Sequence, residues 1–139
     1  VQAQILNLLL DLQEQMHLTY IIITHDLNVI KYISDKIAVM YAGEVIEYGD
    51  VFEIFEKPLH PYTTLLMKAL PRKTKHEGRL QTIDGTVPRI LDKKPGCRFA
   101  NRCPYAMEKC RDNTPPEIFV SEEHKCRCFL LEEGKEANA

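Results

Sequence analysis

The segment TYIIITHDL, residues 19–27, contains an unbroken apolar run that ends in Thr24, His25 and Asp26. β-branched and aromatic residues fill the run without alternating polar residues, which is typical of a parallel strand covered by helices on both faces. Ligands in open α/β sheets bind beyond the carboxyl ends of the strands. The run therefore predicts an α/β fold with a buried strand at 19–24 and with His25 at its ligand-binding edge.

Helical and hairpin patterns surround this strand. Residues 1–16 repeat apolar side chains at helical spacing, which predicts an amphipathic helix with one buried face. Asp26 is a suitable N-cap for a second helix directly after the strand. Residues 35–50 contain two short apolar segments on either side of Ala42-Gly43, a pattern that predicts a tight β-hairpin.

Two further helices are predicted before residue 71. Asp50 and Glu53 have the spacing of a capping box for a short helix, which Pro58 ends. Pro61 is compatible with a first helical position because that position needs no backbone N–H donor. We interpret His60, which precedes it, as a turn residue.

Composition indicates a globular chain, with 45% hydrophobic and 27% charged residues. No apolar stretch approaches the roughly 18 residues that a membrane-spanning helix needs. No signal peptide is recognisable. The chain begins at Val1 within a helical pattern, so we expect it to be a fragment of a larger protein.

The charge balance changes near Pro71. Residues 1–70 carry 4 Lys/Arg and 9 Asp/Glu, whereas residues 71–128 carry 13 Lys/Arg and 8 Asp/Glu. This change predicts a boundary between two modules. The basic residues are interleaved with acids and prolines, so nucleic-acid binding is not expected. The predicted division is a first domain at 1–70, a linker at 71–96, a cysteine-rich domain at 97–129 and a disordered tail at 130–139.

Five cysteines lie in the last third of the chain, at positions 97, 103, 110, 126 and 128. The odd number and the lack of a secretory segment make a disulfide framework improbable. Structural zinc normally uses pairs spaced by two to four residues, and no such pair occurs here. Thiolates from irregular loops can also hold an iron–sulfur cluster, and the Cys103-Pro104 step occurs after some cluster ligands. Metal or cluster binding and packing as reduced thiols are both compatible with this pattern.

Four landmarks in the first half occur in a recognisable order: VQAQILNLL, LTYIIITHDL, DKIAVMYAGEVIEYG and HPYTTLLMKALP. This order resembles the C-terminal part of an ABC-transporter ATP-binding subunit of the oligopeptide/dipeptide (peptide/nickel) importer family. The resemblance implies that His25 is the switch histidine, which contacts the γ-phosphate of ATP and helps to hold the attacking water. The local pattern alone also fits an exposed loop histidine.

The segment GCRFANRCPYAMEKC…HKCRCFL resembles the cysteine-rich C-terminal extension of the same importer ATPases. The resemblance implies a [4Fe-4S] cluster held by Cys97, Cys103, Cys110 and Cys128, with zinc as the alternative. Cys126 departs from the family pattern and is either a substitute ligand or a spare thiol. The expected fold is thus the C-terminal part of a P-loop ABC ATPase domain followed by a small, loop-rich, metal-stapled extension.

The same resemblance implies that the parent protein uses ATP and Mg²⁺ to drive peptide uptake. The implied partners are a second nucleotide-binding subunit, transmembrane permease subunits and, indirectly, an extracytoplasmic solute-binding protein, at the cytoplasmic face of the membrane. The sequence contains no GxxxxGK[ST] phosphate loop. By the family pattern, the signature motif and the Walker B carboxylates are also missing. We therefore expect no ATP hydrolysis by this chain alone. The alternative is a metal- or Fe–S-stapled binding or regulatory module without an ATPase role.

Overall fold

The first 35 residues form a compact unit with two helices, α1 (Gln2–Met16) and α2 (Leu27–Ile33). The computed structural model describes residues 2–70, 85–87 and 95–134. The carboxylate of Asp26 accepts hydrogen bonds from the backbone N–H groups of Asn28 and Val29, so Asp26 is the N-cap of α2. Both predicted helices are present, but the buried face predicted for α1 is wrong: none of the described side chains of α1 is buried, and Ile5 and Leu8 are 53% and 57% exposed.

The predicted buried strand at 19–24 is wrong for this chain. These residues have no regular secondary structure, and Ile21 and Ile23 are 92% and 93% exposed. A strand needs a neighbouring strand to pair its backbone N–H and C=O groups. The described residues supply no such neighbour to this segment, so its strong β propensity does not produce a strand.

The second compact unit, residues 36–139, begins with the predicted hairpin of β1 (Lys36–Tyr41) and β2 (Glu44–Asp50). Tyr41 pairs with Glu44, and the two residues between them, Ala42 and Gly43, have φ angles of 47° and 83°. Two consecutive positive φ angles are the geometry of a tight turn that matches the twist of the strands. The hairpin prediction is confirmed, although Ala42 also adopts the left-handed region.

The remaining strands come from the cysteine-rich segment. β3 (Glu117–Phe119) and β4 (Lys125–Arg127) pair with each other, and β4 also pairs with β2. The result is a four-stranded antiparallel sheet in the order β1-β2-β4-β3. The described strands are therefore antiparallel, not the parallel strands expected from the sequence.

Short helices complete this unit. They are α3 (Val51–Glu56), α4 (Pro61–Lys68), a 3₁₀ turn at Ala100–Arg102, α5 (Lys109–Asp112) and α6 (Phe129–Glu132). Asp50 caps α3 and His60 caps α4, each by accepting a backbone N–H from the first helical turn. Helix α3 contributes Ile54, which is fully buried, to the core next to the hairpin.

The structure groups residues differently from the predicted domains. Residues 36–70 and the cysteine-rich segment lie in one unit, and the division falls after Asp35. Most of the predicted linker, residues 71–84 and 88–94, lies outside the described residues, so its boundaries remain predictions. Residues 130–132 of the predicted tail lie in α6, in which Leu130 is buried. Residues 135–139 lie outside the described part.

No helix in the described part of the chain is both long and apolar enough to cross a membrane.

Candidate cysteine-lined cofactor site

Four cysteines from separate segments line one cavity in the second unit. The cavity volume is about 20 Å³, and the wider depression around it, which includes open solvent, measures about 310 Å³. Its cysteines are Cys97, Cys103, Cys110 and Cys128, and the other lining residues are His60, Pro61, Phe99, Ala100, Tyr105, Pro115, Phe129 and Leu130. The structure thus brings together the four cysteines that the sequence singled out. Cys126 lines a different depression, in which β2 and β4 meet.

Backbone contacts fix the positions of these cysteines. The N–H of Cys97 donates a 2.7 Å hydrogen bond to the carbonyl of Cys110, which joins the first loop to α5. Gly96 permits this approach, because its φ is +114° and a Cβ there would collide with the carbonyl oxygen of Arg111. Cys110 also packs with Ala100 in the apolar cluster beside the cavity.

The thiols are buried but have nearby hydrogen-bond donors. Burial raises the pKa of Cys97, and it raises the pKa values of Cys103 and Cys128 to about 11 and about 12. Backbone N–H groups oppose this effect by donating to the sulfurs: Phe99 and Ala100 to Cys97, Tyr105 to Cys103, and Leu130 to Cys128. Because such donors stabilise a thiolate, the three sulfurs are suited to a cationic group that replaces their protons.

The described residues do not form a ready-made metal site in this structure. Among residues 2–70, 85–87 and 95–134, no group of three or more His, Cys, Asp or Glu side chains is placed to hold one metal ion. Tetrahedral zinc would need four sulfurs within about 2.3 Å of one point.

An aromatic cluster attaches the cysteine loop to the hairpin and to α4. Phe99, between the first two cysteines of the cavity, contacts the rings of Tyr41, Tyr62 and His60 at centroid distances of 5.2, 5.5 and 5.8 Å. Arg98 donates to the carbonyl of Ala42 in the turn and forms an ion pair with Glu44 at 2.9 Å. The cavity and the hairpin therefore share one packed interface.

A buried carboxylate ties the strands and α4 together beside this interface. Glu47 is 1% exposed and accepts hydrogen bonds from the backbone N–H groups of Leu59 and His60. Its Oε1 also lies 2.9 Å from Nε2 of His124, which immediately precedes β4. The other ring nitrogen of His124 lies 3.3 Å from a carboxylate oxygen of Glu53. This network is not apparent from the sequence, because Glu47 and His124 are 77 residues apart along the chain.

His25 lies in the other unit, residues 1–35, and its side chain is exposed. Its neighbours are engaged in local hydrogen bonds: the N–H of Asp26 donates to Thr24 Oγ1 at 3.1 Å, and the Asp26 carboxylate caps α2. The ring of His25 therefore lies at the start of a helix between two residues that fix the local backbone. The phosphate contact that the resemblance implies for His25 stays a prediction.

Residues 46–110 match the family model described as oligopeptide/dipeptide transporter, C-terminal region. The chain is 47% identical over 133 residues to the oligopeptide transport ATP-binding protein AmiE of Streptococcus pneumoniae. The aligned residues are 96% of this chain and 38% of AmiE. The chain is similar to peptide-transport ATP-binding proteins.

Two further peptide-transport ATP-binding proteins have comparable similarity. The oligopeptide transport protein AppD of Bacillus subtilis is 42% identical over 133 residues, which are 96% of this chain and 40% of AppD. The dipeptide transport protein DppD of Escherichia coli is 41% identical over 128 residues, or 92% of this chain and 39% of DppD. These relatives support the resemblance to the C-terminal region of an ABC peptide-importer ATPase. The chain spans somewhat more than a third of the length of these relatives.

Proposed function

We propose that this chain is the C-terminal portion of the ATP-hydrolysing subunit of an ABC peptide importer. The observation that carries the proposal is the similarity to peptide-transport ATP-binding proteins along nearly the whole chain. In the assembled importer, the subunit binds ATP and Mg²⁺, pairs with a second nucleotide-binding subunit and docks on permease subunits at the cytoplasmic face of the membrane. A solute-binding protein delivers the peptide on the opposite side.

In this proposal His25 acts on the γ-phosphate of ATP. Phosphoryl transfer depends mainly on positioning and on charge stabilisation, and an imidazole beside the phosphate can hold the attacking water in line. The exposed ring, which the Asp26-capped start of α2 positions, supports this role. The chain itself contributes only this part of the site, because its sequence contains no GxxxxGK[ST] phosphate loop.

Replacing His25 by alanine in the assembled importer is expected to lower ATP hydrolysis by about 100-fold, because a water-positioning group is removed. Nucleotide binding should change little, since the other phosphate contacts remain. His17→Ala is the matched control: His17 is also exposed, at the end of α1, and its loss should leave hydrolysis unchanged. Full ATP turnover in the His25→Ala importer would contradict the assigned role.

The cysteine-lined cavity is proposed to hold a [4Fe-4S] cluster through Cys97, Cys103, Cys110 and Cys128. Three observations support the fit: the four thiols line one cavity, backbone N–H groups face three of the sulfurs, and the remaining walls are largely apolar. Such a cluster would cross-link four separate segments of a small, loop-rich structure. Its role would then be structural, because metal binding at such a site contributes directly to folding.

Iron and acid-labile sulfide measured on this chain after purification without oxygen test the proposed cofactor. We expect about four of each per chain, with a broad absorption near 400 nm that dithionite bleaches. One zinc per chain, without visible colour, would show that the cysteines hold a structural zinc ion and not a cluster. Absence of any metal would mean that the cysteines only pack as small apolar side chains.

A further inference from the structure

His60 brings a polar ring to the cavity from outside the cysteine-rich segment. It is the N-cap of α4, is 1% exposed, and lines the same cavity as the four cysteines. Its backbone N–H donates a 2.9 Å hydrogen bond to Glu47, and its ring contacts Phe99 at 5.8 Å. The residue is therefore held at its backbone and on one side of its ring.

The hydrogen bonding of His60 determines which ring nitrogen carries the proton. Nδ1 accepts a 3.0 Å hydrogen bond from the backbone N–H of Tyr62. A backbone amide can only donate through its nitrogen, so Nδ1 carries a lone pair. A neutral ring with a lone pair on Nδ1 has its hydrogen on Nε2.

The Nε2–H group remains available as a hydrogen-bond donor. Among the described residues, no hydrogen bond from Nε2 of His60 is present, whereas Nδ1 and the backbone N–H are both engaged. The cavity that His60 lines is walled largely by apolar side chains and by the four cysteine sulfurs. Among the side chains that line the cavity, the cysteine sulfurs and the hydroxyl of Tyr105 are the hydrogen-bond acceptors.

We propose that His60 donates a hydrogen bond from Nε2 to a sulfur of the cofactor bound by Cys97, Cys103, Cys110 and Cys128, as a residue that positions this cofactor and tunes its potential. The inference rests on the proposed cluster and adds to it a residue outside the cysteine-rich segment. Hydrogen bonds to cluster sulfurs favour the reduced, more negative state and so raise the reduction potential. The same bond would connect the cofactor directly to the start of α4.

Two substitutions separate this hydrogen bond from the helix cap. His60→Asn keeps an N-cap oxygen for the N–H of Tyr62, but its shorter side chain does not extend as far into the cavity. His60→Phe fills the ring volume and removes both nitrogens. His17→Asn, at an exposed histidine in the other unit, is the matched control. The measurements are iron and sulfide content, the reduction potential, and the electron-spin coupling of the reduced cluster to ¹⁵N-labelled histidine.

We expect the unmodified chain to show ¹⁵N-histidine coupling that both His60 variants lose. Both variants should have a more negative potential at unchanged iron content, and His17→Asn should match the unmodified chain. An unchanged potential in His60→Asn, or no ¹⁵N coupling in the unmodified chain, would overturn the role of His60 while leaving the cluster in place. The ¹⁵N measurement needs no variant and decides the matter even if both variants fail to fold. Absence of iron and sulfide from the unmodified chain would instead overturn the proposed cluster itself.

Discussion

Replacing Cys103 by alanine is expected to remove nearly all bound iron and sulfide from the chain, whereas replacing Cys126 by alanine should leave both unchanged. Cys103 lines the cavity with three other cysteines, and the N–H of Tyr105 donates to its sulfur. Cys126 lies opposite Glu47 in the sheet and outside that cavity. A cluster that has lost one of four thiolate ligands is expected to be labile, so its retention reports ligation.

The two substitutions are matched in chemistry, since each removes one sulfur and leaves the same small side chain. Cys126 is buried between strands, so Cys126→Ala should cost about 1 kcal/mol of unfolding free energy through lost packing alone. Cys103→Ala should lower the stability of the metal-loaded chain by more than that, and it should change the stability of the metal-free chain little. This difference separates loss of the cofactor from loss of packing.

An exchange of roles between the last two cysteines would have a clear signature. Cys128→Ala is expected to behave like Cys103→Ala, because Cys128 lines the cavity and receives the N–H of Leu130. If Cys126→Ala empties the site while Cys128→Ala retains iron and sulfide, Cys126 is the ligand. Unchanged iron and sulfide in all three variants would show that these cysteines are packing residues and not ligands.

Local signals predicted the elements whose stabilising contacts are themselves local. Asp26, Asp50 and Pro61 mark helix starts through hydrogen bonds or torsion angles within a few residues, and all three helices begin there. The Ala42-Gly43 turn is of the same kind. The strand predicted at 19–24 is absent for the opposite reason, because a strand is stabilised by a partner strand that lies elsewhere in the sequence.

The same distinction explains the candidate site. The positions of the cysteines in the sequence suggested that they bind one metal or cluster. They did not suggest that His60, the N-cap of α4, lines the same cavity, or that β4 pairs with the hairpin. The burial of Glu47 departs from the regular alternation of buried and exposed side chains along a strand. The register between β1 and β2 shifts between Val39 and Met40, and the adjacent residues Ile46 and Glu47 are both buried. An extra residue in one strand places neighbouring side chains in unexpected environments. The sequence pattern alone therefore assigns Glu47 to solvent.

Replacing Glu47 by alanine is expected to lower the free energy of unfolding by about 3–5 kcal/mol, because it leaves buried donors unpaired. The backbone N–H groups of Leu59 and His60 donate to its carboxylate at 2.8 and 2.9 Å, and His124 Nε2 lies 2.9 Å from it. These contacts join β2 to the start of α4 and to the residue before β4. The expected fall in Tm is on the order of 10 °C for a chain of this length.

Glu53 provides the matched control for Glu47, since both carboxylates contact His124. The side chain of Glu53 is 50% exposed and lies 3.3 Å from His124 Nδ1, so Glu53→Ala should cost no more than about 1 kcal/mol. Glu47→Gln keeps the side-chain volume and one acceptor oxygen and should fall between the two alanine variants. Urea unfolding of the three variants and the unmodified chain, with cofactor content held equal, gives the comparison. If Glu47→Ala is no more destabilised than Glu53→Ala, the buried carboxylate does not hold β2, α4 and β4 together.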